Sequence, residues 1–147
     1  MGRLIGSVVV GYLVMAVLVF ALLSGAYVAV GTDRAFLTGS YDVSMLWSAL
    51  SIVLGLVAAW VGGMTCTAIA RDPRGWKWLA VLVLALGLAL AVPTLQQPPN
   101  PAPRLGDVRL MEAVTKGRQP PWAALLNPVI GALGVMVGGR RRGGAAA

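Results

Sequence analysis

Histidine is absent from this 147-residue chain, cysteine occurs once, and only five residues are acidic. Each shortage removes a class of chemistry. Without imidazole the chain alone cannot ligate haem through histidine or use the commonest general base. The lone Cys66 excludes an internal disulfide and a cysteine-based zinc or iron–sulfur site. It has no basic neighbour within a turn to stabilise a thiolate, so it reads as a small residue at a helix contact. Charged residues make up 12% of the chain and none sits in the interior of its long apolar blocks. That removes the buried carboxylates of proton-coupled pumps and the arginines of voltage sensors. Neither a glycine-rich phosphate loop nor a serine elbow is present. The expectation is a non-enzymatic protein with no catalytic residues, no cofactor and no metal.

What the chain has is apolar length. Hydrophobic residues reach 58%, gathered in four blocks that each approach the roughly 20 helical residues needed to cross a bilayer. They predict transmembrane helices at about 4–30, 45–70, 76–95 and 122–139. The fold class expected is all-α: one membrane domain over 1–147, an antiparallel four-helix transmembrane bundle with a short external amphipathic helix. The formal charge of +7 falls on the flanks of the blocks, where it sets topology and leaves no basic face for nucleic acid. Arg71, Arg74 and Lys77 in one short loop, with Arg140, Arg141 and Arg142 after the last block, place both termini in the cytoplasm. The bias toward Gly, Ala, Val and Arg points to a bacterial plasma (inner) membrane.

The first block is too long for a signal-peptide core and reads as an uncleaved helix, with small pairs at Gly2/Gly6 and Ser7/Gly11. GTDRAFLTGSY, residues 31–41, is an external turn region, after which Asp42 or Ser44 can cap the second helix and Trp47 can anchor it at the outer interface. The external loop 96–121 opens with QQPPNPAP, which favours polyproline II. It continues as DVRLMEAVTK, an amphipathic surface helix over about 107–116, with Asp107 as N-cap, Glu112 and Lys116 as an i, i+4 pair, and Val108, Leu110, Met111 and Val114 on one face. Residues 143–147 read as a disordered tail.

The most informative stretch is Ser51 to Thr67. Steps of four give Ser51, Gly55, Ala59, Gly63 and Thr67, with Ala58, Gly62, Cys66 and Ala70 alongside and Val53, Val57, Trp60 and Met64 opposite. Such a flat small-residue side lets another helix approach closely. The fourth block carries Gly131, Gly134 and Gly138, and WAALLNPVIGALGVMVGG from Trp122 echoes WSALSIVLGLVAAWVGG from Trp47. A duplicated hairpin with a two-fold axis along the membrane normal would produce that echo. Asn127, followed by Pro128, is the most polar side chain within a span. It reads first as a structural bond to a neighbouring serine, threonine or freed carbonyl, and second as part of a polar site.

Two functions fit these features. One is an accessory or scaffold subunit, embedded in the lipid bilayer and packed against another membrane protein or itself. The other is a small-solute channel or transporter acting as a homo-oligomer, with Asn127 and nearby hydroxyls lining the path.

Overall fold

The structure is a computed structural model that describes residues 2–72, 74–96, 103–104 and 106–144, with side chains up to 141. Its helices are α1 (Gly2–Val30), α2 (Thr32–Ala35), α3 (Met45–Ala70), α4 (Gly75–Gln96), α5 (Leu110–Lys116) and α6 (Pro121–Gly144). No strand occurs among the described residues; two isolated bridges, Phe36 with Val43 and Asp42 with Arg118, tie the loops together. Four helices are long and apolar enough to cross a membrane: α1, α3, α4 and the Pro121–Arg141 part of α6. Large apolar side chains such as Val17 and Leu90 lie outside, at 66% and 70% exposure, whereas Ser7, Ala58, Ala59 and Cys66 are buried. Small residues inside and large ones outside suit a bundle whose solvent is as apolar as its core.

Several boundaries differ from the sequence reading. α6 continues to Gly144 rather than ending at 139, so the expected tail begins inside a helix. Residues 145–147 and most of QQPPNPAP lie outside the described residues. Ser44 is the N-cap of α3, its Oγ accepting from the Trp47 amide at 3.1 Å. Asp42 instead accepts from Ser40 at 2.8 Å. α5 begins at Leu110, not 107, and Asp107 does not cap it; the residue at its N-cap is Arg109. The reason is tertiary: the Val108 carbonyl accepts from the Tyr27 hydroxyl at 2.6 Å, and Val108 lies outside the helix.

The bundle forms through close contacts at small residues. α1 meets α3 where the Cys66 thiol donates to Ser7 Oγ at 3.8 Å and where a Cβ on Gly62 would stand 2.9 Å from Met15 Cβ and 3.0 Å from the Gly11 carbonyl. Further along, Tyr27 stacks edge-on against Trp47 at 5.8 Å. α4 meets α6 where Gly87 faces Pro128, Gly131 faces Val83 and Gly139 faces Trp76. α3 and α6 form the central pair. The Val135 carbonyl occupies the place of a Cβ on Gly63, the Trp60 carbonyl does the same at Gly138, and a Cβ on Gly134 would lie 2.9 Å from Ala59 Cβ. Contacts of Gly63 with Val135 and of Gly138 with Trp60 are reciprocal: Trp60 and Gly63 stand in α3 where Val135 and Gly138 stand in α6. That is the geometry of two small-xxx-small motifs, Ala59/Gly63 and Gly134/Gly138, pressed backbone to backbone.

The local two-fold of this pair does not extend to the hairpins. In α3, Gly62 faces α1 and the next residue, Gly63, faces α6; in α6, Gly138 faces α3 and the next residue, Gly139, faces α4. One residue turns about 100° in the same sense in both helices. A two-fold exchanging the hairpins would preserve the order of flank and partner, and here the order reverses. α1 and α4 therefore lie on the same side of the central pair, and a Cβ on Gly11 would indeed come 3.0 Å from Leu79 of α4. The two-fold duplicated hairpin is not the arrangement observed.

Candidate binding crevice and cap

The small-residue row of α3 does not meet one neighbour along its length. Steps of four overshoot a full turn by about 40°, so Ser51 to Thr67 winds around the helix. Ala59 and Gly63 meet α6, whereas a Cβ on Gly55 would meet nothing within 4 Å. Ser51 donates to its own helix at the Ser48 carbonyl, 2.9 Å, and buried Thr67 donates to the Gly63 carbonyl, 3.0 Å. The neighbouring row, Gly62 and Cys66, is filled by α1. Ala59, Gly62, Gly63, Cys66, Gly134 and Gly138 sit at close contacts between helices, whereas Ser51 and Gly55 line an open space.

That space is a cavity of about 350 Å³ walled by α1, α3, α4 and α6. Met15, Gly55, Ala59, Val83 and Gly131 belong to its walls, and the polar residues among its lining are Tyr12, Ser51, Thr94, Gln119 and Asn127. A second cavity of about 500 Å³ shares Tyr12, Met15, Val19, Leu23 and Gln119 with it and runs under α5 past Tyr27, Phe36 and Trp47. Leu86, Leu90 and Phe20 line one or the other and are 39%, 70% and 61% exposed, so the crevice reaches the outside of the bundle. Below it the bundle closes around Cys66 and Leu79, both fully buried.

Asn127 and Pro128 both line the crevice. Pro128 packs on Gly87 of α4. The Asn127 amide donates to Gln119 Oε1 at 3.0 Å, within its own chain segment, not to a hydroxyl or freed carbonyl of another span. Sequence reading missed Gln119, which was assigned to the loop; the two prolines after it set the approach to α6 and bring it back over the first turns of the helix. Thr94 was missed for its place beside Pro93 near the end of α4.

The other built feature is a cap over the bundle. Tyr27, Ala35, Phe36, Tyr41 and Val108 form its buried cluster, with Leu110 and Ala113 packed against it. Tyr41 donates to Glu112 Oε1 at 2.8 Å, and Lys116 reaches the same oxygen at 2.9 Å. The Lys116 hydrogen bond, followed by that of Tyr41, holds the Glu112 carboxyl below its ordinary value. The same contacts raise Tyr41, first through the bond to Glu112, and raise Lys116. The face expected of this helix is split: Leu110 turns inward, while Met111 and Val114 are 73% and 62% exposed.

No family model, curated protein or solved structure matches the chain. Function is therefore read from the chain's own geometry.

Proposed function

We propose that the protein is a non-enzymatic accessory or scaffold subunit of a bacterial plasma membrane, joined through its outer cap to another membrane protein or a second copy of itself. In this reading the spans form an antiparallel bundle with both termini in the cytoplasm. Contacts of α1 with α3 support the first point, since Ser7 pairs with Cys66 and Tyr27 with Trp47. Charge supports the second: the end with both termini carries seven basic residues against one acidic, and the other end five against four, the cytoplasmic bias of short loops.

The observation that carries the subunit reading is where the close-packing surfaces go. Ala59, Gly62, Gly63, Gly134 and Gly138 are spent on the bundle's own contacts. The cap, held by Tyr27 and Glu112, keeps Met111 outward and leaves Val114 exposed at the rim of the second cavity. Ordering a seven-residue helix so that two apolar side chains face out suits a docking plate. A photo-crosslinking residue at position 111 should give one discrete adduct in native membranes, and one at position 133, on the lipid-facing side, should give none. Met111→Glu with Val114→Glu should abolish the adduct and the larger species on a blue-native gel. A chain that migrates as a monomer, with no adduct from 111, refutes the proposal.

A second reading, a path for a small neutral solute, is favoured by the uncharged polar groups Ser51, Thr94, Gln119 and Asn127 in the crevice. The closure at Cys66 and Leu79 blocks that path in this conformation. Flux into liposomes carrying the purified protein distinguishes the two.

A further inference from the structure

The crevice demands an occupant. Water does not suit it: about 350 Å³ corresponds to roughly ten waters at about 30 Å³ each, and each needs two to four polar partners. The walls supply few. Ser51 is bonded within its own helix and the Asn127 amide to Gln119, which leaves the Tyr12 and Thr94 hydroxyls and the Gln119 amide nitrogen, too few for that many waters. Left empty, Tyr12, Met15, Val83 and their neighbours would lack contact atoms on one side, forfeiting the dispersion attraction that close packing supplies.

We propose that the crevice is a binding site for a membrane glycerolipid, one acyl chain lying between α1 and α4 and the ester region reaching the Asn127/Gln119 pair. Its place in the membrane rests on the four-span reading; the partner at the cap does not enter into it. Three observations converge. The cavity is apolar along its length and opens beside exposed Leu86, Leu90 and Phe20, where lipid chains would lie. Among the described residues no charged side chain lines either part, which argues against a buried phosphate and keeps a charged headgroup outside. The amide pair leaves the Gln119 amide nitrogen to donate to an ester carbonyl, and the Thr94 hydroxyl lines the same cavity. Volumes of about 350 and 500 Å³ lie within the range of ligand sites of this kind, which are mostly apolar with few polar groups. Gly55 is accounted for as well: a Cβ there would meet no protein atom within 4 Å, so its smallness serves the cavity and not a helix contact.

The test uses the full chain, purified in a non-ionic detergent from vesicles of phosphatidylethanolamine and phosphatidylglycerol, and native mass spectrometry. Wild type should retain a single lipid. Gly55→Leu, whose Cβ has open space and whose branched end projects into the cavity, should lower retention about tenfold while the helical circular dichroism stays the same, and Thr94→Leu should weaken it in the same direction. Val137→Leu, on the outside of α6, should change nothing. Equal retention in wild type and Gly55→Leu overturns the proposal, as does a graded series of bound lipids with no preferred single adduct. In a Cys66→Ser background, rapid labelling of Gly55→Cys by a membrane-impermeant maleimide would show a water-filled crevice and also overturn it. Loss of the position-111 crosslink with lipid retention intact would sink the subunit reading alone, so the two failures are distinguishable.

Discussion

Adding one methyl group to either of two glycines should shift stability in opposite directions. At Gly138 a Cβ would fall onto the Trp60 carbonyl, 2.9 Å from its carbon and 3.1 Å from Cα. These are backbone atoms and cannot rotate aside, so Gly138→Ala must push α3 and α6 apart. Overpacking of this kind costs about 1–3 kcal/mol, and separation also weakens the Cα–H···O contacts, about 0.5–1 kcal/mol each. Against this stands a gain of about 1 kcal/mol in helix propensity on replacing glycine with alanine. The net expectation is a loss of about 1–3 kcal/mol. At Gly55 nothing lies within 4 Å, so Gly55→Ala keeps the propensity gain, up to about 1 kcal/mol, without the clash. Reversible unfolding in mixed non-ionic and dodecyl sulfate micelles, followed by far-ultraviolet circular dichroism, measures both. Adding Gly63→Ala to Gly138→Ala should cost less than Gly63→Ala alone, because the helices are already apart. Shifts of the same sign at positions 55 and 138, or a Gly138→Ala protein more stable than wild type, would refute the backbone-contact account.

Three further outcomes follow from the cap and the core. Tyr27→Phe removes the donor to the Val108 carbonyl at 2.6 Å; hydrogen exchange should accelerate across 106–116, with a stability loss of about 1–2 kcal/mol and the spans unaffected. Because hydrogen bonds hold Glu112 below its ordinary value near 4.5, its hold on the cap is complete above that value and is lost as pH falls through the lowered one. Protection factors in α5, exchange corrected for its intrinsic pH dependence, should fall over that acidic window in wild type and be flat with pH in Glu112→Gln. Cys66 is fully buried against Ser7, so maleimide labelling should require unfolding of the bundle; labelling of the native protein at the rate of an exposed thiol would contradict the α1/α3 contact.

The parts of this fold legible in the sequence are those fixed by length and local chemistry. Four apolar blocks predict four long helices, because a chain in an apolar solvent must satisfy its backbone within each segment, and the Glu112/Lys116 pair forms at its i, i+4 spacing. Even the echo between Trp47 and Trp122 held structural information, since α3 and α6 lie side by side with Gly63 on Val135 and Gly138 on Trp60. What the echo could not contain is which side of that pair α1 and α4 occupy. Gly62 and Gly63 are both glycine, as are Gly138 and Gly139, so nothing in residue type says which member of each pair faces the central partner and which the flank. The choice between a two-fold arrangement and the observed one rests on that single residue. The crevice was hidden for a related reason. Ser51, Gly55, Ala59 and Gly63 look like one continuous contact stripe on paper, but about 40° of drift per step carries the stripe out of the α6 contact within two steps. A row of small residues therefore marks a packing surface only for about two turns; beyond that, the same residue type marks the absence of a neighbour. In this chain that absence, at Gly55, is where the lipid chain is placed.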